Sequence, residues 1–490
     1  MRGILSHGAY LPHRRLDRAT IAPTAGTGGG KGIRTVAGFD EDSTTMAVEA
    51  GRRALRPIEG DHALRPGQLL FSTVTPAYLD KTNATAVHAA LGLGADVAAI
   101  DVGGAMRSTV GALRLALDST TTSLVVAADI RTGLPGSADE AAGGDAAAAL
   151  VIGDGTDETV LAELIGRGSA TAEFLDRWRT PGDVRSKQWE ERFGELRYVP
   201  LGQAAWADAL ADAGLADGAT AEVDRVAVAS THARAARGLI KALGLPPEKV
   251  VDDLSATVGM TGAAQPALLL SSLLEQATPG DVVALVVLAD GADVFLFRTT
   301  AAVATFVPAV PLAGQISTGA AIDYGTFLRW RGMLTAEPPR RPEPARVSAP
   351  AAARSEDWKF GLVGGRANGD VHLPAHATDD ERIAMADARG TIATFTVDKL
   401  AWSPSPPVVF AVVDFDGGGR LPVELTDVGP PNLEDGTVAI GARVEMTFRR
   451  LSSADGIHNY FWKARPVAAP EVSPDDDQPV DRRTGSSAVM

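Results

Sequence analysis

The chain has 490 residues, with 46 basic and 61 acidic side chains for a formal charge of −15, and it has no cysteine. Without a thiol it can form no disulfide, no thiolate zinc site, no iron–sulfur cluster and no cysteine nucleophile. Its length and 45% hydrophobic content predict about two to four fully cored domains, and the acidic balance without a basic stripe argues against nucleic acid as a partner.

At the start, MRGILSHGAYLPHRRLDR is too interrupted for a signal peptide, and no later window approaches the ~20 apolar residues of a membrane helix. A cytoplasmic protein with no membrane partner is therefore expected. Over residues 1–310, short β-branched runs alternate with Ala-rich helical stretches, the texture of a layered α/β domain. MAVEAGRRAL carries its apolar residues at helical spacing, while TSLVVAADI and AAAALVIGDG read as continuously apolar strands buried on both faces. The pattern then recurs as QAAWADALADAGL, DRVAVAS, ARAARGLIKALG and VVALVVLA, which predicts a duplicated unit.

Residues 311–356 hold a helix and the Pro- and Ala-rich tether TAEPPRRPEPARVSAPAAARSE. Over 357–468 the texture changes to alternation in five short segments, from GTIATFTVDKLAW to NYFWKARPV, which predicts a small OB-type barrel. The polar stretch 469–490 is expected to be disordered.

Several segments, in order, resemble the thiolase superfamily, in its hydroxymethylglutaryl-CoA synthase and ketoacyl synthase III branch. They are GKGIRTVAGFDEDSTTMAVEAGRRAL, DVGGAMRSTVGALRLAL, GGDAAAALVIGDG, ASTHARAARGLIKALGL, VGMTGAAQPALLL and PGDVVALVVLADGADVFLFR. WKFGLVGGR through NYFWKARP resembles the zinc-ribbon and OB-fold acyl-CoA-associated domain (domain-of-unknown-function 35 family) found beside or fused to thiolase-like enzymes. The resemblance implies a duplicated five-layered αβαβα domain followed by a small all-β OB-fold barrel. It also implies a CoA thioester as ligand, a homodimer, a separate thiolase subunit as partner, and lipid metabolism as setting.

The departures from the family bear on the chemistry. Met106 falls where the family has its nucleophilic cysteine, and a thioether forms no acyl thioester. Met260 replaces the turn asparagine that helps bind the thioester oxygen, and the family's catalytic glutamate would fall near Val74. RANGDVHLPAHATDDER lacks the ribbon cysteines, so no zinc or other metal cofactor is expected, although His372 and His376 stand near Asp379. Pro374 between the two histidines argues against one helical face.

Of the family's catalytic groups His232 remains, at a strand's C-terminal end, as a base or as a donor to a thioester carbonyl; a structural role is the alternative. Tyr78 in PAYLDKTNAT is a second acid–base candidate if it lines the pocket. The turn amides at Met106 and the glycine loop at Gly291 are candidates for an oxyanion site. Arg34, Arg234, Arg237 and Lys241 are candidate CoA contacts, with a solvated helix face as the alternative for the last three. These readings leave three functions open: a cysteine-free aldol or retro-aldol lyase, a non-catalytic acyl-CoA-binding or scaffold subunit, and an acyltransferase (Claisen) activity whose nucleophile comes from a partner. Charged or hydroxyl groups converging beside Met106 in a cavity favour the lyase; a filled apolar pocket favours the scaffold.

Overall fold

The computed structural model describes residues 1–56, 64–216, 219–335, 337, 354 and 356–467. Its centre is a nine-stranded sheet made twice from one pattern. The first half supplies β1 (Arg2–Tyr10), β2 (Gln68–Ser72), β3 (Ala98–Asp101), β4 (Ser123–Asp129) and β5 (Ala146–Asp154). The second supplies β6 (Ala162–Ala170), β7 (Arg225–Ser230), β8 (Val282–Leu288) and β9 (Ala292–Thr299). The order is β7-β8-β9-β6-β1-β5-β4-β2-β3. In the first half β3, β2 and β4 are mutually parallel, and β5 and β1 follow antiparallel. The second half repeats this with parallel β7 and β8 and antiparallel β9 and β6, and a parallel bridge from Val226 to Val250 stands where β3 would fall. The expected duplication is present in four strands of each half, with the bridge at Val250 in place of a fifth in the second.

Six helices cover the sheet: α1 (Ser43–Leu55), α2 (Ala84–Ala90), α3 (Ser108–Asp118), α4 (Glu191–Asp212), α5 (Ala233–Ala242) and α6 (Gln265–Leu274). On β4, Leu124 and Val126 pack with Met46 and Ala50 of α1, while Val125 turns to a middle core containing Leu113 of α3 and Leu270 of α6. On β8, Leu285 and Val287 join that middle core, and Ala284 and Val286 face Ala205 and Ala209 of α4. Helices, half-sheet, α3 with α6, half-sheet and helices therefore stack as five layers. Because both faces of each half-sheet are covered, the strands read as apolar runs rather than alternations. Gly168 of β6 lets α4 lie directly on the strand: a Cβ there would stand 1.9 Å from the Ala205 carbonyl oxygen.

The helices Leu312–Ser317 and Tyr324–Trp330 pack against the first half. Gln315 accepts the Leu11 N–H at 2.9 Å and donates to the Ala9 carbonyl at 3.0 Å. The Pro-rich positions 338–353 and the tail from 468 onward lie outside the described residues. Val363–Ala367, Asp370–His372 and Glu381–Ala384 form a small three-stranded sheet where the ribbon is expected. After it, β10 (Arg389–Asp398), β11 (Val408–Phe415), β12 (Arg420–Glu424), β13 (Arg443–Ala454) and β14 (Ile457–Pro466) form an antiparallel sheet of order β12-β11-β10-β13-β14. A bridge from Leu425 to Ala464 brings its two edges together. Val409, Ala411 and Val413 alternate inward, as the sequence pattern predicts.

The barrel is locked to the start of α1 by charge. Asp40, Glu41 and Asp42 are buried. Arg449 pairs with Glu41 at 2.7 Å and Asp427 at 2.8 Å, Lys463 pairs with Asp40 at 3.0 Å, and the Tyr460 hydroxyl donates to Asp42 at 2.8 Å. Further along α1, Glu49 meets Arg52 at 2.9 Å and Arg465 at 3.6 Å. Burial pushes the Glu49 carboxyl up, but these cations outweigh it and hold it at about 2. Among the described residues no helix is long and apolar enough to cross a membrane.

Candidate active site

A cavity of about 690 Å³ lies at the C-terminal ends of β2, β3, β4, β7 and β8, the end of an α/β sheet where ligand sites form. Its lining includes Thr73, Met106, Arg131, Tyr198, Gly262 and Asp290. Asp129, at the end of β4, organises one wall. Its carboxylate accepts from the Thr73 hydroxyl at 2.9 Å, the Val74 N–H at 2.8 Å, the Thr75 hydroxyl at 3.1 Å and the Ala263 N–H at 2.5 Å. Burial raises the Asp129 pKa, against which Arg131 and these hydrogen bonds act. Gly262 has φ +59, and a Cβ there would meet the Asp129 carboxylate at 2.3 Å, so the turn requires glycine.

Met106 lies just before α3 and is 5% exposed, with its thioether in the lining. His232 is the N-cap of α5: its Nδ1 accepts the Ala235 N–H at 3.0 Å. An accepting Nδ1 carries no proton, so in the neutral ring the proton resides on Nε2 and that nitrogen is a donor. Nε2 stands 4.0 Å from Asp176 and has no hydrogen-bond partner among the described residues. The ring packs 6.0 Å from Tyr198 and is not part of the cavity lining. Tyr198 is, and its hydroxyl accepts the Asp290 N–H at 3.2 Å. Asp290 lines the cavity with its pKa raised, first by burial and then by the charge of Asp176.

Tyr78 lines the cavity, but its hydroxyl accepts the His458 N–H at 2.8 Å and so points to the barrel. Gly291 packs against Arg107, which donates to the Asp290 carbonyl at 2.7 Å. Met260 lies outside the lining, and its sulfur accepts the Gly262 N–H at 3.1 Å. Arg34 corrects an expectation: it is 0% exposed, meets Asp145 at 3.4 Å and donates to the Arg131 carbonyl at 2.9 Å. Burial lowers its pKa to about 10, and it holds the interior together instead of reaching a CoA phosphate. Arg234 pairs with Glu195, Arg237 and Lys241 are exposed, and none of the three lines the cavity. The cations that do line it are Arg131, Arg177 and Arg179. The sequence reading missed these, together with Asp176 and Tyr198. Arg131 had a signal, since it follows a buried strand end directly; the segment around Arg177 had none.

In the small sheet, His372, His376 and Asp379 have ligating atoms within 4.8 Å of one another, and the two imidazole centroids are 4.3 Å apart. A loop gathers them, so Pro374 does not keep them apart as the helical argument expected. One Asp379 oxygen already accepts the His376 N–H at 2.5 Å.

Residues 212–295 match the family described as the C-terminal domain of 3-oxoacyl-[acyl-carrier-protein] synthase III, and residues 383–449 match the ChsH2 C-terminal OB-fold domain. The hydroxymethylglutaryl-CoA synthase of Archaeoglobus fulgidus is 28% identical over 355 residues, which cover 69% of this chain and 100% of the archaeal protein. The Pyrobaculum neutrophilum synthase is 28% identical over 354 residues, covering 68% and 97%. Among solved structures, 3-oxoacyl-(acyl carrier protein) synthase III from Pseudomonas aeruginosa shares the fold with a TM-score of 0.52 at 22% identity, over 61% of this chain and 98% of that one. An HMG-CoA synthase complexed with CoA gives 0.56 at 17% identity, over 67% and 90%. The HMG synthase of the curacin pathway in complex with a holo donor acyl carrier protein gives 0.58 at 15%, over 68% and 88%. The first two thirds of the chain thus share the fold of these synthases and are similar in sequence to hydroxymethylglutaryl-CoA synthases, with a match to the ketoacyl synthase III C-terminal domain, and the C-terminal part matches an OB-fold domain of the ChsH2 type.

Proposed function

We propose that this protein binds an acyl-CoA in the cavity beside Met106 and cleaves or forms a carbon–carbon bond in it without a covalent intermediate. One observation carries the reading: beside the thioether the cavity is open, and hydroxyl, carboxylate and guanidinium groups converge on it in Thr73, Asp290, Tyr198 and Arg131. An aldol or retro-aldol step on a β-hydroxyacyl thioester needs a base for the hydroxyl proton and donors for the thioester enolate, and no thiol. Asp290 is the base in this reading, because it is a carboxylate of the lining beside Tyr198 and has its pKa raised by partial burial and then by the charge of Asp176. In the turn before α3 the Gly104 and Ala105 N–H groups donate to the Thr73 carbonyl at 3.4 Å and the Ser108 hydroxyl at 3.1 Å, so in this reading the Met106 N–H is the one that meets the enolate oxygen. His232 acts from behind Tyr198 as a positioning residue.

A second reading, a non-catalytic acyl-CoA-binding scaffold for a separate thiolase, draws support from Met260, whose sulfur occupies the Gly262 amide of a cavity-lining turn. The relatives' names support CoA or acyl carrier protein as the carrier. A homodimer is proposed along β3, the outer strand of the main sheet, whose Ile100 is 47% exposed.

Mass-spectrometric product analysis with β-hydroxyacyl-, β-ketoacyl- and simple acyl-CoAs tests the choice, with Asp290→Asn as control. Cleavage of β-hydroxyacyl-CoA that the substitution abolishes supports the lyase. Binding of acyl-CoA without turnover in any class overturns it in favour of the scaffold.

A further inference from the structure

The small sheet before the barrel gathers a set of donors that contains no thiol. Val363–Ala367 is its centre strand, with Asp370–His372 paired on one side and Glu381–Ala384 on the other. Gly365 stands opposite His372. A Cβ on Gly365 would lie 1.8 Å from an Asp379 oxygen, so this position needs glycine for the 373–380 loop to fold back and lay its carboxylate on the strand. The Asp379 N–H donates to the His376 carbonyl at 3.2 Å and the Asp380 N–H to the Arg366 carbonyl at 2.9 Å, which closes the loop on the sheet. His372, His376 and Asp379 meet there, with one ligating atom from each within 4.8 Å of the others.

Two further observations point to a cation at this place. The Asp379 side chain is 1% exposed, and its one hydrogen bond among the described residues comes from the His376 N–H. The arginines of the sheet are engaged elsewhere, Arg366 with Glu381 at 3.1 Å and Arg382 with Asp357 at 4.0 Å, and the group nearest to the carboxylate is His372 Nε2 at 3.9 Å. A carboxylate withdrawn from water with a single N–H partner is costly, and a cation relieves that cost. Neither imidazole makes a hydrogen bond among the described residues, and the two rings stack with their planes 29° apart, which leaves nitrogens of both free for a common ion.

The donor chemistry selects the ion. Two imidazole nitrogens and a carboxylate oxygen suit a divalent first-row metal, zinc foremost, whereas calcium and magnesium take oxygen shells. Ligand atoms ~2.0–2.2 Å from a tetrahedral ion stand about 3.3–3.6 Å apart, so the set is slightly open, and a turn of the exposed His376 closes it. A thiolate ribbon of the kind the resembled family carries does not fit, because the chain has no cysteine.

We propose that His372, His376 and Asp379 bind a zinc-class divalent ion, with water completing its shell, and that the ion pins the 373–380 loop to the sheet. This departs from the sequence expectation of no metal and is independent of what the cavity does. Leu373, at the start of the loop, packs against the barrel core and lies 2.7 Å from where a Gly419 Cβ would stand in the turn between β11 and β12, so the pinned loop also braces the barrel.

Calorimetric titration of the full chain with Zn²⁺ tests it, on tag-free protein stripped with a chelator, in wild type, His376→Ala, Asp379→Asn and the control His88→Ala. One Zn²⁺ per chain is expected, with a Kd below about 10 µM, weakened at least about tenfold by His376→Ala and Asp379→Asn and unchanged by His88→Ala. Absence of saturable Zn²⁺ binding in wild type overturns the proposal. So does binding that His376→Ala leaves unchanged, which assigns the ion to other groups, and so does equal affinity for Ca²⁺, which assigns it to surface carboxylates alone. His376 is exposed, so His376→Ala keeps the fold, and it decides together with wild type if Asp379→Asn does not fold. Limited proteolysis reads the second part: Zn²⁺ should slow cleavage within 373–380 in wild type and not in His376→Ala, and equal wild-type cleavage with and without Zn²⁺ removes the pinning role.

Discussion

The phenol of Tyr78 accepts a hydrogen bond from the backbone N–H of His458 at 2.8 Å, and the two rings stand 5.3 Å apart. Tyr78 belongs to the loop that lines the cavity and His458 to β14 of the barrel, so the OB domain touches the wall of the site. We propose that this contact, and not the proton transfer expected of it, is the role of Tyr78. Tyr78→Phe keeps the ring and loses one hydrogen bond. It should lower stability by about 1 kcal/mol in urea titration and leave thioester turnover within about threefold, whereas loss of a general base would cost about 10²-fold or more. A rate loss of that larger size would return Tyr78 to the chemistry.

The barrel's hold on the first domain depends on Arg449, which is buried and meets Glu41 and Asp427 while Asp40 lies 3.8 Å away. Arg449→Met leaves Glu41 and Asp427 without the guanidinium between them, while Lys463 stays on Asp40. The expected loss is about 3–5 kcal/mol in denaturant unfolding, since breaking a buried pair strands a charge. A loss below about 1 kcal/mol would mean that water reaches this interface.

Acid should unfold the protein in two stages. Burial holds the His7 imidazole at about 4, and a buried His that stays neutral while the unfolded chain titrates near 6.5 gives stability above that pH that is lost as pH falls toward 4. Glu49 and Asp427 both sit at about 2 because neighbouring cations, Arg52 and Arg449 foremost, outweigh the burial that pushes each carboxyl up. Their contribution is complete above the unfolded value of roughly 4 and disappears as pH falls from there through about 2. Melting temperature followed against pH should therefore decline from about pH 6.5 downward. His7→Gln should flatten the upper part of that curve only, and a wild-type curve flat between pH 6.5 and 4.5 would contradict the assignment to His7.

The layered fold was legible because burial on both faces writes itself as apolar runs, as in SLVVAAD and VVALVVL, and because the pattern recurs. The barrel was legible from its alternation and turns. What stayed hidden depends on long-range pairing. Asp40, Glu41 and Asp42 are an acidic run by composition, and only the fold shows Arg449 and Lys463, some 400 positions later, neutralising them in the interior. Arg34 reads in sequence as an accessible cation, and only its burial against Asp145 removes it from the site. Arg177 and Tyr198 reach the cavity from segments with no motif, so neither periodicity nor spacing could have named them.

His232 has two separable jobs, and two substitutions divide them. Its Nδ1 caps α5 by accepting the Ala235 N–H, while its Nε2 faces Asp176 behind Tyr198. His232→Asn puts a strong N-cap residue in the same place, keeping an acceptor for the helix but removing the Nε2 donor. His232→Ala removes both. In denaturant titration the Ala variant should be about 1 kcal/mol less stable than the Asn variant, the usual value of an N-cap. Asp176 reports the other job: burial raises its pKa, and losing the Nε2–H donor that stands 4.0 Å away should raise it further in both variants, seen as a shift of the Asp176 side-chain carboxyl resonance with pH. If the Ala and Asn variants are equally stable, the cap contributes nothing and the ring is held by its packing on Tyr198. If the Asp176 titration stays where it is in wild type, the Nε2–H group has no part in tuning the carboxylates of this wall.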